Sequence, residues 1–184
     1  MKVYIKDKHF GDKVVFKDFS LSLEDGTTTV VMGESGRGKT TLMRIIAELD
    51  KDYDGFVEKS GKVALLFQED RLIENISVMS NLLLVTDNRD RALLLLKKMG
   101  LENEEKSNIS SLSGGMRRRV SIVRLLLLDF DTYIFDEPFS SLDEETKKKV
   151  SEIIREETKG KTIIVVTHNK EDIYLFERGR EIYL

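Results

Sequence analysis

Residues 33–40 read GESGRGKT; they follow the apolar run TTTVVM and lead into TLMRIIAEL. Strand, glycine-rich loop and helix in that order leave few folds open. In the pattern GxxxxGK[ST] the glycines let successive backbone N–H groups curl around phosphate oxygens. Lys39 can then reach β- and γ-phosphates, and the Thr40 hydroxyl can ligate Mg²⁺. Gly33, Glu34, Ser35, Gly36, Arg37, Gly38, Lys39, Thr40 and Thr41 are therefore expected to hold a nucleoside triphosphate. A chance glycine-rich turn would explain neither the strand before the loop nor the helix after it.

Three more apolar runs, KVALLF (62–67), DTYIFD (131–136) and TIIVVT (162–167), read as buried parallel strands. Helical stretches at about 39–49, 115–128 and 144–158 separate the runs. The expected fold is α/β, a P-loop nucleotide-binding core with its ligand at the carboxyl ends of the strands. VYI, VVF and FSLSL near the start alternate like an antiparallel sheet beside the main one, and REIYL reads as a last strand. No strand candidate lies in 69–111, where RALLLLKKMG (91–100) is helical. The chain is thus read as one domain: 1–68 and 112–184 form the core with its antiparallel part, and 69–111 form an inserted helical subdomain.

Composition narrows the options. The 184 residues carry 34% charged side chains but a net charge of only −3, which argues against general nucleic-acid binding. Two basic triplets, Arg117–Arg119 and Lys147–Lys149, read as solvated helix faces, the second at ion-pair spacing from Glu144 and Glu145. Without cysteine there is neither a disulfide framework nor a thiolate metal site. The longest apolar runs are too short to span a bilayer, and MKVYIKDKHF has no signal-peptide pattern, so a cytoplasmic location is expected.

The rare residues point to the chemistry. Gln68, the only glutamine, follows VALLF; Pro138, the only proline, follows YIFDE; and His168, one of two histidines, follows IIVVT. At the end of its strand Asp136 suits a role on Mg²⁺, and Glu137 lies one residue beyond, placed to polarise an attacking water. Gln68 could ligate the metal or orient that water, and His168 could donate to the γ-phosphate. The bland alternatives are a surface acid for Glu137 and polar caps on buried strands for the other two. His9 sits in a charged segment and reads as a surface residue.

A second helix start, SLSGGMRRR (111–119), offers another anion site, with Ser113 as cap and two glycines permitting close approach. One chain with two such sites needs an explanation.

Taken in order, these segments resemble the nucleotide-binding subunit of an ATP-binding cassette (ABC) transporter. The matching motifs are GESGRGKT, FQED (67–70), LSGGM (112–116), IFDEP (134–138), SSLD (140–143) and THN (167–169). The resemblance implies two cassettes head to tail, so that Ser113, Gly114 and Gly115 bind the γ-phosphate of the partner's ATP. It also implies that Phe10 stacks on adenine and that Asp143 links the two sites. Glu137, His168 and Gln68 become the catalytic set, and Thr40, Gln68 and Asp136 the Mg²⁺ set. The implied partners are a second cassette, identical or paralogous, and a transmembrane permease whose coupling helix meets the helical insertion. FQEDRL and DEPFSSLD lean towards importers of the nitrate, sulfonate and taurine group, which adds an extracytoplasmic solute-binding protein. The location implied is peripheral, on the inner face of the membrane. Met116, Ser141 and Asn169 depart from the usual Gln, Ala and Asp, and the chain stops at REIYL without a regulatory extension. The competing class is a soluble ABC-type ATPase on DNA or ribosomes; the short span between Gln68 and Leu112 leaves no room for the long arms of those proteins.

Overall fold

The computed structural model describes residues 1–34, 36–176 and 179–184. Strands β1 (Lys2–Phe10), β2 (Lys13–Ser22) and β4 (Asp54–Glu58) form an antiparallel sheet in the order β2-β1-β4. Strands β3 (Thr28–Met32), β5 (Val63–Leu66), β6 (Thr132–Asp136), β7 (Thr162–Val166) and β8 (Arg180–Tyr183) form a parallel sheet in the order β5-β6-β7-β3-β8. The five helices are α1 (Lys39–Ile46), α2 (Val78–Leu82), α3 (Arg89–Lys98), α4 (Gly114–Leu126) and α5 (Glu144–Glu157). The expected α/β class, the parallel core and the antiparallel companion are all present.

Side-chain alternation on the parallel strands divides the interior in two. Val31, Ile134, Ile164 and Val166 face Leu42, Met43, Ile45 and Ile46 of α1, and beyond α1 lie Val3, Ile5 and Phe16 of the antiparallel sheet. The intervening residues, Val30, Tyr133, Phe135, Ile163 and Val165, turn the other way onto α2 to α5. Strands buried on both faces must be apolar throughout, and that is why they read as unbroken runs. The four α1 residues have no exposed surface, and each contributes about 1.5–3 kcal/mol by burial. They hold the loop at the head of α1 against both sheets.

Two elements depart from the sequence reading. The third antiparallel strand comes from Asp54–Glu58, DGFVE, an edge strand largely exposed and carrying two acids. Helix α2 is a single capped turn, with Ser77 accepting from the Ser80 N–H at 3.0 Å. Between β5 and α4 the chain forms α2, α3 and a short 3-10 turn at Ile109–Ser111. Lys98 of α3 pairs with Glu156 at 2.9 Å and Glu157 at 2.6 Å, and Arg91 also pairs with Glu157, so this segment is tied to α5.

The basic triplet 117–119 is not a solvated face. Arg118 is buried and Arg119 donates to the Met99 carbonyl at 2.7 Å. The second triplet keeps its expected character in part: Lys148 and Lys149 are exposed and Lys147 pairs with Glu144 at 2.8 Å, but Lys147 itself is half-buried and reaches Asp172 at 3.6 Å. Among the described residues no helix is long and apolar enough to cross a membrane.

Candidate active site

The carboxyl ends of β3, β5, β6 and β7 open into one cleft of about 500 Å³, a size that suits a small ligand. At the end of β3 the loop turns into α1 through Gly38, which caps the helix at φ 89°. A Cβ there would come within 2.7 Å of Val15 Cγ1 and 2.8 Å of the Phe16 ring, so only glycine fits. Among the described residues no side chain caps α1, which leaves its first N–H groups available for an anion. Lys39 folds back onto the loop, its ammonium donating to the Gly33 carbonyl at 2.6 Å and the Glu34 carbonyl at 2.9 Å. Both contacts are of the kind a phosphate can replace.

Thr40, the second residue of α1, donates its hydroxyl to the Asp136 carboxylate at 3.0 Å across the cleft. Burial raises the pKa of Asp136 above its ordinary value, with Glu137 adding to the rise and Thr40 opposing it. Glu137 follows with φ +49°, a left-handed conformation unusual for a residue with a side chain. Its carboxylate lies 2.7 Å from His168 Nδ1. Because a carboxylate only accepts, that contact requires the proton on Nδ1 and leaves Nε2 of the neutral ring as an acceptor. Behind the pair, Thr167 donates to Asp172 at 2.8 Å and lies 3.5 Å from the other Glu137 oxygen.

Of the residues singled out in sequence, the cleft brings together Phe10, Gly36, Gly38, Lys39, Thr40, Thr41, Gln68, Asp136, Glu137 and His168. Gly33 and Glu34 join through the carbonyls that hold Lys39, while Arg37 lies in the loop, 3.7 Å from Glu34. Ser35 lies outside the described residues. The Phe10 ring is half-exposed, with the Lys8 ammonium 4.5 Å from its centroid. His9 is exposed and bonded to Asp7, as its charged surroundings led one to expect. Lys13 and Val15 of β2 also line the cleft. Neither stood out in sequence, where they read only as alternating strand residues.

Ser113, Gly114, Gly115 and Asp143 do not line this cleft. Ser113 caps α4, accepting from the Met116 N–H at 3.2 Å. Asp143 caps α5, accepting from the Thr146 N–H at 2.9 Å and its hydroxyl at 2.8 Å, and the backbone N–H lowers its pKa. The two motifs meet each other: a Cβ on Gly115 would fall 2.8 Å from the Ser141 carbonyl oxygen. They make one surface patch, apart from the chain's own phosphate loop.

The family model for ABC transporter proteins matches residues 16–140. The chain belongs to the ABC transporter family. It is an ATP-binding, ATP-hydrolysing cassette of that family. Among curated relatives it is 38% identical over 172 residues to an aliphatic sulfonates import ATP-binding protein, SsuB 1, of Rhodococcus jostii, covering 89% of this chain and 70% of that one. It is 36% identical over 185 residues to SsuB 2 of Pseudomonas syringae pv. tomato, covering 97% and 80%. Among solved structures, the cassette MJ0796 matches with a TM-score of 0.83 at 27% identity, covering 100% of this chain and 94% of that one. That structure is a dimeric post-hydrolysis state bound to ADP and Pi.

Proposed function

We propose that the chain powers an importer, of the kind named for its aliphatic sulfonate relatives, by closing in pairs around two Mg-ATP. The observation that carries this reading is the division of the motifs. Phosphate loop, metal-type oxygens and acid share one cleft, while Ser113, Gly114 and Gly115 do not line it. Such a chain holds two half-sites and needs a second cassette to complete either.

In this reading Lys39 leaves the Gly33 and Glu34 carbonyls to neutralise the β- and γ-phosphates, and the α1 N–H groups take the remaining oxygens. Thr40 and Asp136 present hard oxygens 3.0 Å apart, and Gln68 adds an amide oxygen nearby; this set fits Mg²⁺, which binds through one or two protein ligands plus phosphate. The ion would spread charge away from the phosphates. Glu137 orients a water and accepts its proton as the water oxygen bonds to the γ-phosphorus and the bond to the β-phosphate oxygen breaks. To donate to the γ-phosphate, His168 must first leave Glu137 or carry a second proton. Phe10 offers the ring face opposite Lys8 to the adenine. From the neighbouring cassette, Ser113, Gly114 and Gly115 close over the γ-phosphate, and Asp143 lies at the seam.

The membrane partner belongs beside the helical insertion, where Ile73, Leu83, Leu84 and Leu94 are exposed. A permease there would seat the cassette on the inner face of the membrane, with a solute-binding protein delivering cargo from the other side. Glu137→Gln tests the core of the proposal. Turnover should fall about 10²–10⁴-fold, and an ATP-dependent dimer should accumulate on a sizing column. An unchanged rate would remove Glu137 from its role as base.

A further inference from the structure

Arg118 is a buried cation that the reaction scheme above does not use. It is 1% exposed, the largest fully buried side chain among the described residues. Its guanidinium is satisfied almost wholly by backbone. Nη2 donates to the carbonyls of Asp136 at 2.6 Å and Glu137 at 2.8 Å, and Nε donates to that of Pro138 at 3.2 Å. Nη1 donates to the carbonyls of Phe67 at 2.7 Å and Gln68 at 3.2 Å, and the Asp70 carboxylate lies 3.5 Å away.

Three consecutive carbonyls, 136 to 138, converge on one cation only because the backbone between them is turned. The turn is at Glu137, with φ +49°. Backbone in that region costs about 1–3 kcal/mol and persists only where its surroundings over-determine it. Arg118 supplies much of that surrounding, beside the Glu137 N–H on the Val166 carbonyl at 2.9 Å and the Ser140 N–H on the Glu137 carbonyl at 3.2 Å. Without Arg118 the carbonyls of Asp136 and Pro138 would lose that donor, while the Glu137 carbonyl keeps the Ser140 N–H at 3.2 Å, and each unsatisfied group costs about 1–3 kcal/mol. A guanidinium suits the task because its planar fork aims five N–H groups at fixed angles; an ammonium has three and no plane.

The cation is also well placed to transmit movement. It sits on α4, little more than one turn from Ser113. At its other end it grips the two strand ends that carry Glu137 and Gln68. We propose that Arg118 is a positioning residue: it fixes Glu137 and Gln68 in register with the helix whose first residues meet the neighbouring cassette's nucleotide, so that closure at that helix sets the acid in its own cleft. The proposal rests on the paired-cassette reading.

The test uses Arg118→Lys and Arg118→Met beside Glu137→Gln and the double variant Arg118→Lys/Glu137→Gln. For each, kcat, KM for ATP and nucleotide affinity of the dilute monomer are measured. Arg118→Lys should keep monomer affinity and KM within about threefold, since the phosphate loop is untouched. Its kcat should fall about 10–100-fold, as a misplacement near 1 Å does. Arg118→Met should fall further. The double variant should lose much less than the product of the two single losses, because with Glu137 replaced only Gln68 is left for Arg118 to position. A wild-type kcat for Arg118→Lys, a loss confined to KM, a fully multiplicative loss in the double variant, or failure of both single variants to fold would each overturn the proposal. An active Glu137→Gln, by contrast, would point to the base assignment as the error.

Discussion

Helices α1 and α4 both begin where an anion can bind, yet they are built differently. Helix α1 starts on a left-handed glycine with no side-chain cap among the described residues, so its N–H groups are available. Lys39 stands by on carbonyls it can release, and Asp136 lies across from Thr40. Helix α4 starts on a serine that already caps the Met116 N–H, with its glycines packed on the Ser141 segment. In the proposed function the first is the phosphate-loop half of a site, and the second is the half that would close on another chain's nucleotide. On that proposal, dimerisation is part of the catalytic apparatus rather than an accident of association.

If the contrast holds, the two sites should fail in different ways when broken. The largest effect is expected at α1. Lys39→Ala removes the only ammonium among the cleft residues nearest the loop carbonyls, and losing one partner of a desolvated charge pair costs about 2–5 kcal/mol. ATP affinity of the monomer should fall on the order of 10²–10³-fold in a titration followed by calorimetry; a loss under tenfold would dissolve the contrast. Ser113→Arg comes next. Monomer affinity should stay within about threefold, while turnover drops roughly 100-fold and the dimer trapped by Glu137→Gln no longer forms. If monomer binding were lost instead, the α4 start would be serving its own nucleotide.

Much of this arrangement was legible before any coordinates. Continuous apolar runs gave β3, β5, β6 and β7 because both faces of those strands are covered, and polar residues just past each run fell at the cleft. The edge strand β4 escaped because it has one exposed side and so carries charges like any loop. Arg118 escaped for a different reason. Three arginines in a row look uniformly solvated, although successive helical residues point about 100° apart. Arg118 lies three, four and seven residues before Ser121, Ile122 and Leu125, all buried on one stripe of α4. That spacing was the available signal, and the uniform charge masked it. What no spacing could show is that Ser113, Gly114 and Gly115 stay out of the cleft of their own phosphate loop; that depends on how α4 is seated against Ser141.

The smallest effect concerns stability rather than turnover. Asp136 is buried beside Glu137, and burial pushes its pKa up. A carboxyl whose folded pKa lies above the unfolded one favours the fold only while protonated. That contribution is complete below the unfolded value, 3.8, and is lost as pH rises through the folded pKa. At neutral pH the nucleotide-free cassette therefore carries a buried charge at a cost, one that a bound cation would offset. Asp136→Asn keeps an oxygen to accept from Thr40 but carries no charge. Without nucleotide its Tm at pH 7 should exceed that of the natural chain by about 2–4 °C, the shift roughly 1 kcal/mol gives at this size. The gap should close on acidification towards pH 4 and reverse with Mg-ATP, because only the charged carboxylate gains from the ion. At the start of α5, in the same patch as the α4 start, the corresponding exchange, Asp143→Asn, should show no such gain, since Asp143 is exposed and its pKa is lowered by the Thr146 N–H. Equal Tm responses at the two positions would mean that the cleft carries no special electrostatic cost, and that the α1 site is no more prepared for a cation than the patch at α4.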